Sequence, residues 1–286
     1  MTTHTLNLSS PRRQVTVPDL VARAKGDPKI AMLTCYDATF AKLLDECGVD
    51  VLLVGDSLGM VLKGQVNTLG VSVDELAYHT AAVARAGTAA LILADMPFGS
   101  YQESPQQAYR NAAKLLAAGA QMVKLEGGAW LADTVSFLVE RGVPVCGHVG
   151  LTPQSVNSLG GYRVQGREEG AADRMIEDAL ALQGAGASMI VVELVPAEVG
   201  ARLTQALRVP TIGIGAGAGV DGQVLVLYDM LGITQGKRPR FVRDFVSQAG
   251  SVKEAIKAFV SDVRSGAFPT LAESHVISPA LSARAG

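Results

Sequence analysis

Four acidic residues, Asp56, Asp95, Glu126 and Glu193, each close a short apolar run, and each run follows a helix-like segment. The runs are Val51-Leu52-Leu53-Val54-Gly55-Asp56, Leu91-Ile92-Leu93-Ala94-Asp95, Met122-Val123-Lys124-Leu125-Glu126 and Met189-Ile190-Val191-Val192-Glu193. Apolar runs that alternate with helices form parallel strands, and parallel strands end on one common face. The four carboxylates are therefore expected to converge. Carboxylates aimed into one mouth repel one another, and anionic oxygen clusters persist where a divalent cation neutralises them. Oxygen ligands point to Mg2+ first and Mn2+ second. Any one of these acids could instead cap the helix that follows it, since a carboxylate accepts from free N–H groups there. Four of them on successive units argue for chemistry.

Lys124 stands two residues before Glu126, so the two side chains share a strand face. Beside acids it is either a buried ion-pair partner or the neutraliser of a developing oxyanion or a substrate carboxylate. Glu193 is surrounded in sequence by Val191, Val192, Leu194, Val195 and Pro196. An apolar setting would raise its pKa and suit it to general-base work. His148, at the end of a fifth apolar run, could orient a substrate carbonyl, bind a metal or serve structure alone. Cys146, two residues earlier, reads as a small buried hydrophobe rather than a nucleophile.

The elements that must position these groups read as eight strands, over 30–36, 51–55, 91–95, 122–126, 143–148, 189–195, 211–215 and 224–228. Helical segments fall between most of them. This is the pattern of a (β/α)8 TIM barrel, whose active site lies at the C-terminal ends of the strands. A short helix over 18–25, stopped by Gly26 and Pro28, is expected to cap the closed bottom. Ser104, Pro105 and Gln107 supply an N-cap, N1 and N3, with Gly119 at the far end. Ser251 and Glu254 have capping-box spacing and open a late helix towards Arg264, either the last barrel helix or a C-terminal helical extension. Gly119 and Gly186 precede Glu126 and Glu193 by equal distances, as Gly48 and Gly87 precede Asp56 and Asp95, which is what repeated βα units produce. A single domain over 1–286 is expected, with a polar leader over 1–17 and a loose tail over 276–286.

The bulk properties exclude several classes. Hydrophobic residues make up 48% of the 286 and charged ones 18%, ample for one large core. A net charge of −2 lacks the basic footprint of a nucleic-acid binder. No apolar stretch approaches the roughly 20 residues of a membrane span, and the N-terminus has no signal-peptide core. Three widely spaced cysteines, Cys35, Cys47 and Cys146, form no metal or redox pair and favour a cytoplasmic location. Gly213-Ile214-Gly215-Ala216-Gly217-Ala218 fits a weak dinucleotide fingerprint, but it closes the seventh strand of a series instead of opening a first unit. In a barrel these glycines are expected to let the backbone approach ligand.

Several longer segments resemble the ketopantoate hydroxymethyltransferase family: Val54-Gly55-Asp56-Ser57-Leu58-Gly59-Met60, Ala94-Asp95-Met96-Pro97-Phe98, Val123-Lys124-Leu125-Glu126-Gly127-Gly128 and the ten residues from Cys146 to Ser155. Gly160-Gly161-Tyr162, Val164-Gln165-Gly166-Arg167 and Gly213-Ile214-Gly215-Ala216-Gly217 belong to the same series, which spans 31–269 in order. The resemblance implies a barrel of the phosphoenolpyruvate mutase and isocitrate lyase superfamily. It implies transfer of a hydroxymethyl group from 5,10-methylenetetrahydrofolate to 3-methyl-2-oxobutanoate, a step of pantothenate synthesis. By the family's motifs Asp56 and Asp95 hold Mg2+, with Glu126 in its shell directly or through water. Asp56, Ser57, Asp95 and Lys124 would contact the keto acid, and Glu193 would be the proton acceptor. A homo-oligomer is implied, typically a decamer. The chain departs from the family near its end, where Glu273-Ser274-His275-Val276 replaces Glu-His-Ser-Phe. Two other readings are a carbon–carbon or carbon–phosphorus lyase of the superfamily and a silent metabolite-binding barrel. The lyases carry a loop with a basic pair before Cys-Gly-His, which Pro144-Val145-Cys146-Gly147-His148 lacks. The complete acid and lysine set argues against silence.

Overall fold

The computed structural model describes residues 12–26, 28–168 and 170–277. Eight parallel strands close into a barrel in chain order. They are β1 (Ile30–Thr34), β2 (Val51–Val54), β3 (Leu91–Asp95), β4 (Met122–Glu126), β5 (Val145–Gly150), β6 (Met189–Glu193), β7 (Thr211–Ile214) and β8 (Gly222–Leu225). β1 pairs with both β2 and β8, which leaves no open edge. The eighth strand starts two residues before its expected position, and the chain beyond it already turns as a helix over Leu227–Met230.

Strand alternation divides the core in two. Ile30, Met32, Val51, Leu53, Leu91, Leu93, Met122, Cys146, Met189, Val191, Ile212 and Val224 fill the barrel interior. The residues between them, such as Leu52, Ile92, Val123 and Ile190, face the surrounding helices. A capping helix closes the bottom, over Val17–Val21 and shorter than expected, and its Leu20 is buried in the interior cluster. Thr16 and Asp19 form its capping box, and Lys25 at φ +58 ends the turn after it. Burial of Leu20 contributes about 1.5–3 kcal/mol. Most of the expected leader over 1–17 lies outside the described residues. Its described part is tied down by Arg12, which bonds Asp45, Asp50 and the Val49 carbonyl. The expected tail over 276–286 also lies outside them except for Val276 and Ile277.

Full helices follow six of the first seven strands: Ala38–Glu46, Val73–Ala84, Pro105–Ala117, Ala132–Val139, Ala171–Gly184 and Ala197–Ala206. Gly48, Gly87, Gly119 and Gly186 all hold positive φ just past four of these helices, so the equal spacings in the sequence mark repeated stops. Ser104 and Ser251 cap their helices, but neither box is reciprocal: Gln107 Oε1 accepts from Glu103 and Glu254 turns to Lys257. Helix Val252–Ser265 packs on β1 and β8, so it is the last barrel helix rather than an extension.

Between β7 and β8 there is no helix. The glycine-rich loop lies against helix Ala197–Ala206 instead: a Cβ at Gly217 would sit 2.4 Å from Ala197 Cβ, and one at Gly219 2.8 Å from Ala201 Cβ. Gly217 and Gly219 therefore allow close packing on a helix.

Candidate active site

The inward parity that carries apolar residues through the lower barrel carries polar ones at the top. Asp95, Lys124, Glu126, His148 and Glu193 continue the interior rows of β3 to β6. The register sets Asp95 opposite Lys124 and Glu126 opposite His148. Asp56 arrives differently, from the turn after β2, and its N–H donates to Asp95 Oδ2 at 2.9 Å. With Ser57, these residues line one cavity of about 460 Å³ at the C-terminal mouth of the barrel. All seven residues singled out in the sequence are thus brought together.

Asp56, Asp95, Lys124, Glu126 and His148 are all buried. Lys124 Nζ lies 3.1 Å from Asp95 Oδ1, 3.3 Å from Glu126 Oε1 and 3.1 Å from His148 Nδ1. Burial opposes its charge, but Asp95, Glu126 and Asp56 outweigh burial and raise its pKa. Lys124 stays an ammonium. Burial also works against the Glu126 carboxylate, yet Lys124 and His148 hold it low and ionised. For Asp56 nothing compensates: burial, Asp95 and Glu126 push its carboxyl well up. Three carboxylates thus share one lysine, and the deficit falls on Asp56.

An ammonium only donates, so Lys124 leaves the imidazole proton of His148 on Nε2. That nitrogen is 3.2 Å from Glu193 Oε2, close enough to pair but off the line of a hydrogen bond. Burial and Lys124 push the imidazole pKa down, Glu126 and Glu193 push it up, and the balance is upward. Of the apolar sequence neighbours of Glu193, Val191 and Leu194 line the same cavity. Val192 and Val195 face the helices, while its carboxylate faces His148 and the cavity. Leu194 follows at φ +49, rare for a bulky residue, pinned by its N–H to Ile214 O at 2.8 Å and its carbonyl to Gln165 N at 2.9 Å. This turn lifts the chain away immediately after the acid.

Sequence reasoning missed Gln154. It is buried, donates Nε2 to Asp56 Oδ2 and to the Met96 carbonyl, both at 2.9 Å, and accepts from Tyr101 Oη at 2.7 Å. Its backbone N–H donates to Glu126 Oε2 at 2.9 Å. One residue therefore holds two of the acids. His275 was also missed. Its carbonyl accepts from Ala197 N at 2.7 Å, which brings the C-terminal segment to the cavity that His275 lines. Cys146 is buried in β5 within the barrel interior, its thiol pKa pushed up to about 12 by burial, as expected of an inert residue.

The donor set suits a hard cation. Asp95 Oδ1 is buried with no hydrogen bond, its one close partner being the Lys124 ammonium at 3.1 Å, and Gln154 occupies only one oxygen of Asp56. Both oxygens of Glu126 are engaged, by Lys124 and by Gln154. Among the described residues no three His, Cys, Asp or Glu side chains form a ready cage. A site of two carboxylates completed by water and substrate oxygens is the usual environment of Mg2+ rather than of Ca2+ or Zn2+. No helix among the described residues is long and apolar enough to cross a membrane.

Solved structures define the class. Phosphoenolpyruvate phosphomutase from Streptomyces platensis subsp. rosaceus is similar in fold, with a TM-score of 0.57 at 13% identity, over 94% of this chain and 93% of that one. Phosphonopyruvate hydrolase, solved with oxalate and Mg2+, has a TM-score of 0.58 at 14% identity, over 90% of this chain and 92% of that one. The fold is a closed (β/α)8 barrel, which is also similar to that of 2,3-dimethylmalate lyase, a member of the PEP mutase/isocitrate lyase superfamily, with a TM-score of 0.56 at 15% identity, over 78% of this chain and 84% of that one. The family model for ketopantoate hydroxymethyltransferase matches residues 14–271. The chain is 60% identical to 3-methyl-2-oxobutanoate hydroxymethyltransferase of Paraburkholderia phymatum over 258 residues, which is 90% of this chain and 95% of that protein. The chain belongs to the ketopantoate hydroxymethyltransferase family, a family of transferases.

Proposed function

We propose that the chain transfers a one-carbon unit from 5,10-methylenetetrahydrofolate to 3-methyl-2-oxobutanoate, forming 2-dehydropantoate and tetrahydrofolate, with Mg2+ at the barrel mouth. The observation that carries this reading is the meeting of Asp56, Asp95, Lys124, Glu126, His148 and Glu193 around one cavity. Asp56 and Asp95 would hold the metal, with Glu126 adjoining it through water because both its oxygens are engaged. When bound, Mg2+ supplies Lewis-acid polarisation of the keto acid's oxygens. A Mg2+ and oxalate complex of a protein with the same fold supports this choice of metal and of a dicarbonyl ligand.

The chain's own residues do the rest. Glu193 takes the proton from C3 of the keto acid. His148 Nε2 lies 3.2 Å from that carboxylate on the cavity side. Lys124 offers its fixed positive charge to the developing enolate oxygen, so little reorganisation is needed in the transition state. Ser57, whose Oγ is 2.9 Å from Tyr36 Oη, lies beside Asp56 to contact the substrate. The C3 carbanion then forms the new carbon–carbon bond with the donor's methylene. Both carbon–nitrogen bonds of that methylene break, and water supplies the hydroxyl.

Incubation of the protein with keto acid, Mg2+ and methylenetetrahydrofolate is expected to yield 2-dehydropantoate. Cleavage of a keto acid without the donor would favour a lyase instead. The reading includes a cytoplasmic homo-oligomer, the decamer being the form the resemblance implies. A monomer mass by light scattering at micromolar concentration would overturn that part.

A further inference from the structure

A second cavity, of about 750 Å³, adjoins the first, and Val164 lines both. It lies between the turn after β4, the loop after β5 and helix Ala171–Gly184. Its chemistry differs from that of the barrel mouth. Arg163, Arg167 and Arg174 line it, and none is paired with a carboxylate among the described residues. Two acids also line it, Glu168 and Asp178, but Asp178 Oδ1 is engaged by Ala129 N at 2.7 Å. The wall is built for close approach. Gly127 and Gly128 let side chains seat closely on the wall: a Cβ on Gly127 would lie 2.7 Å from the ring of Trp130, which is 61% exposed, and one on Gly128 2.3 Å from the Asp178 carboxylate.

The two cavities are electrostatically linked. His275 lines the first cavity, and the charges of Arg167 and Arg240 bear on it. The centre of the barrel mouth is crowded with acids, and Arg240 is the one arginine that lines it, against three in the second cavity. A donor that carries anionic groups far from its reacting carbon must direct them elsewhere, and the cationic cavity across Val164 is adjacent.

We propose that this second cavity anchors the glutamyl carboxylates of the pteridine donor, with Arg163, Arg167 and Arg174 binding the carboxylates and Trp130 flanking the chain. The proposal rests on the one-carbon-donor reading above. It assigns the reacting head of the donor to the first cavity and its tail to the second. Arginine suits the role because its planar fork pairs with carboxylates in two-point contacts.

Trp130 is the single tryptophan of the chain, so its fluorescence reports on this cavity alone. Titration of the full chain with tri-γ-glutamate, which has no chromophore, is expected to change that fluorescence saturably and more weakly at high salt. Arg167→Ala and Arg174→Ala should each weaken binding by roughly threefold, the scale of an exposed ion pair. The KM for a triglutamyl donor should lie below that for a monoglutamyl donor. The double variant should narrow this difference, with Arg163 still in place. Unchanged Trp130 fluorescence together with a KM indifferent to glutamate number would overturn the proposal. So would a response to inorganic pyrophosphate but not to tri-γ-glutamate, which would assign the cavity to a phosphate ligand. Failure of the donor reading itself looks different, because no pteridine donor of any tail length would then yield hydroxymethylated product.

Discussion

Replacement of Gln154 by methionine keeps the side chain's length and removes its polar atoms. In the native protein the amide donates to Asp56 Oδ2 at 2.9 Å and accepts from Tyr101 Oη at 2.7 Å. A hydrogen bond to a charged acceptor contributes about 1.5–3 kcal/mol. Gln154 is also one of the groups that lower the Asp56 pKa against burial and the neighbouring acids. Without it Asp56 is harder to ionise, and a cation must meet that cost on binding. About 1.4 kcal/mol is a factor of ten, so divalent-cation affinity should fall by roughly ten- to a hundredfold in Gln154→Met. Gln154→Glu replaces the donor with a carboxylate oxygen beside Asp56 and should lose at least as much. The backbone N–H to Glu126 is kept in both variants. Mn2+ binding to the substrate-free protein, followed by electron paramagnetic resonance, measures the effect directly, and thermal melting checks that each variant is folded. Wild-type Mn2+ affinity in both folded variants would refute the positioning role of Gln154.

Two further outcomes are expected. Asp56→Asn and Asp95→Asn should each weaken Mn2+ binding by more than Glu126→Gln, because Glu126 already spends both oxygens on Lys124 and Gln154; calorimetry showing the reverse order would reassign the ligands. Arg243 grips Glu273 at 2.6 Å and Asp262 at 2.7 Å; burial opposes ionisation of Glu273, but its bonds to Arg243 and Thr270 bring the carboxyl below its ordinary value of 4.5. A depressed carboxylate stabilises the fold fully above its unfolded pKa and loses that contribution as pH falls through the folded value. Glu273→Gln should therefore cost about 1 kcal/mol at pH 7, and the gap from wild type should close on acidification below 4.5 in urea melts. A gap independent of pH would contradict the ion-pair account.

The barrel and its acids were legible because both follow from short-range rules. A buried parallel strand is an uninterrupted apolar run, and the parity that sends Leu93 inward sends Asp95 inward as well. Gln154 was illegible because nothing local marks it. It stands in a short turn after β5, and its partners Asp56, Met96 and Tyr101 are distant in sequence. The same reason hides His275, which reaches the mouth only because its carbonyl bonds Ala197. The surroundings of Glu193 were legible in part: Val191 and Leu194 line its cavity, Val192 and Val195 face the helices, and the side chain also meets His148, which lies on another strand. The packing of Gly217 and Gly219 on Ala197 and Ala201 is a contact that periodicity cannot reveal.

The central claim is that Glu193, beside His148 on the cavity side of β6, removes the C3 proton of the keto acid. Glu193→Gln keeps size and polarity and removes the base, so the variant should still bind 3-methyl-2-oxobutanoate with Mg2+. In heavy water, proton NMR of the keto acid incubated with wild-type protein and Mg2+ should show deuterium replacing the C3 proton. The account predicts that Glu193→Gln slows this exchange by about 10²-fold or more, the scale of general-base catalysis. Exchange at the wild-type rate in the variant would contradict it, and the proton acceptor would have to be sought elsewhere in the cavity.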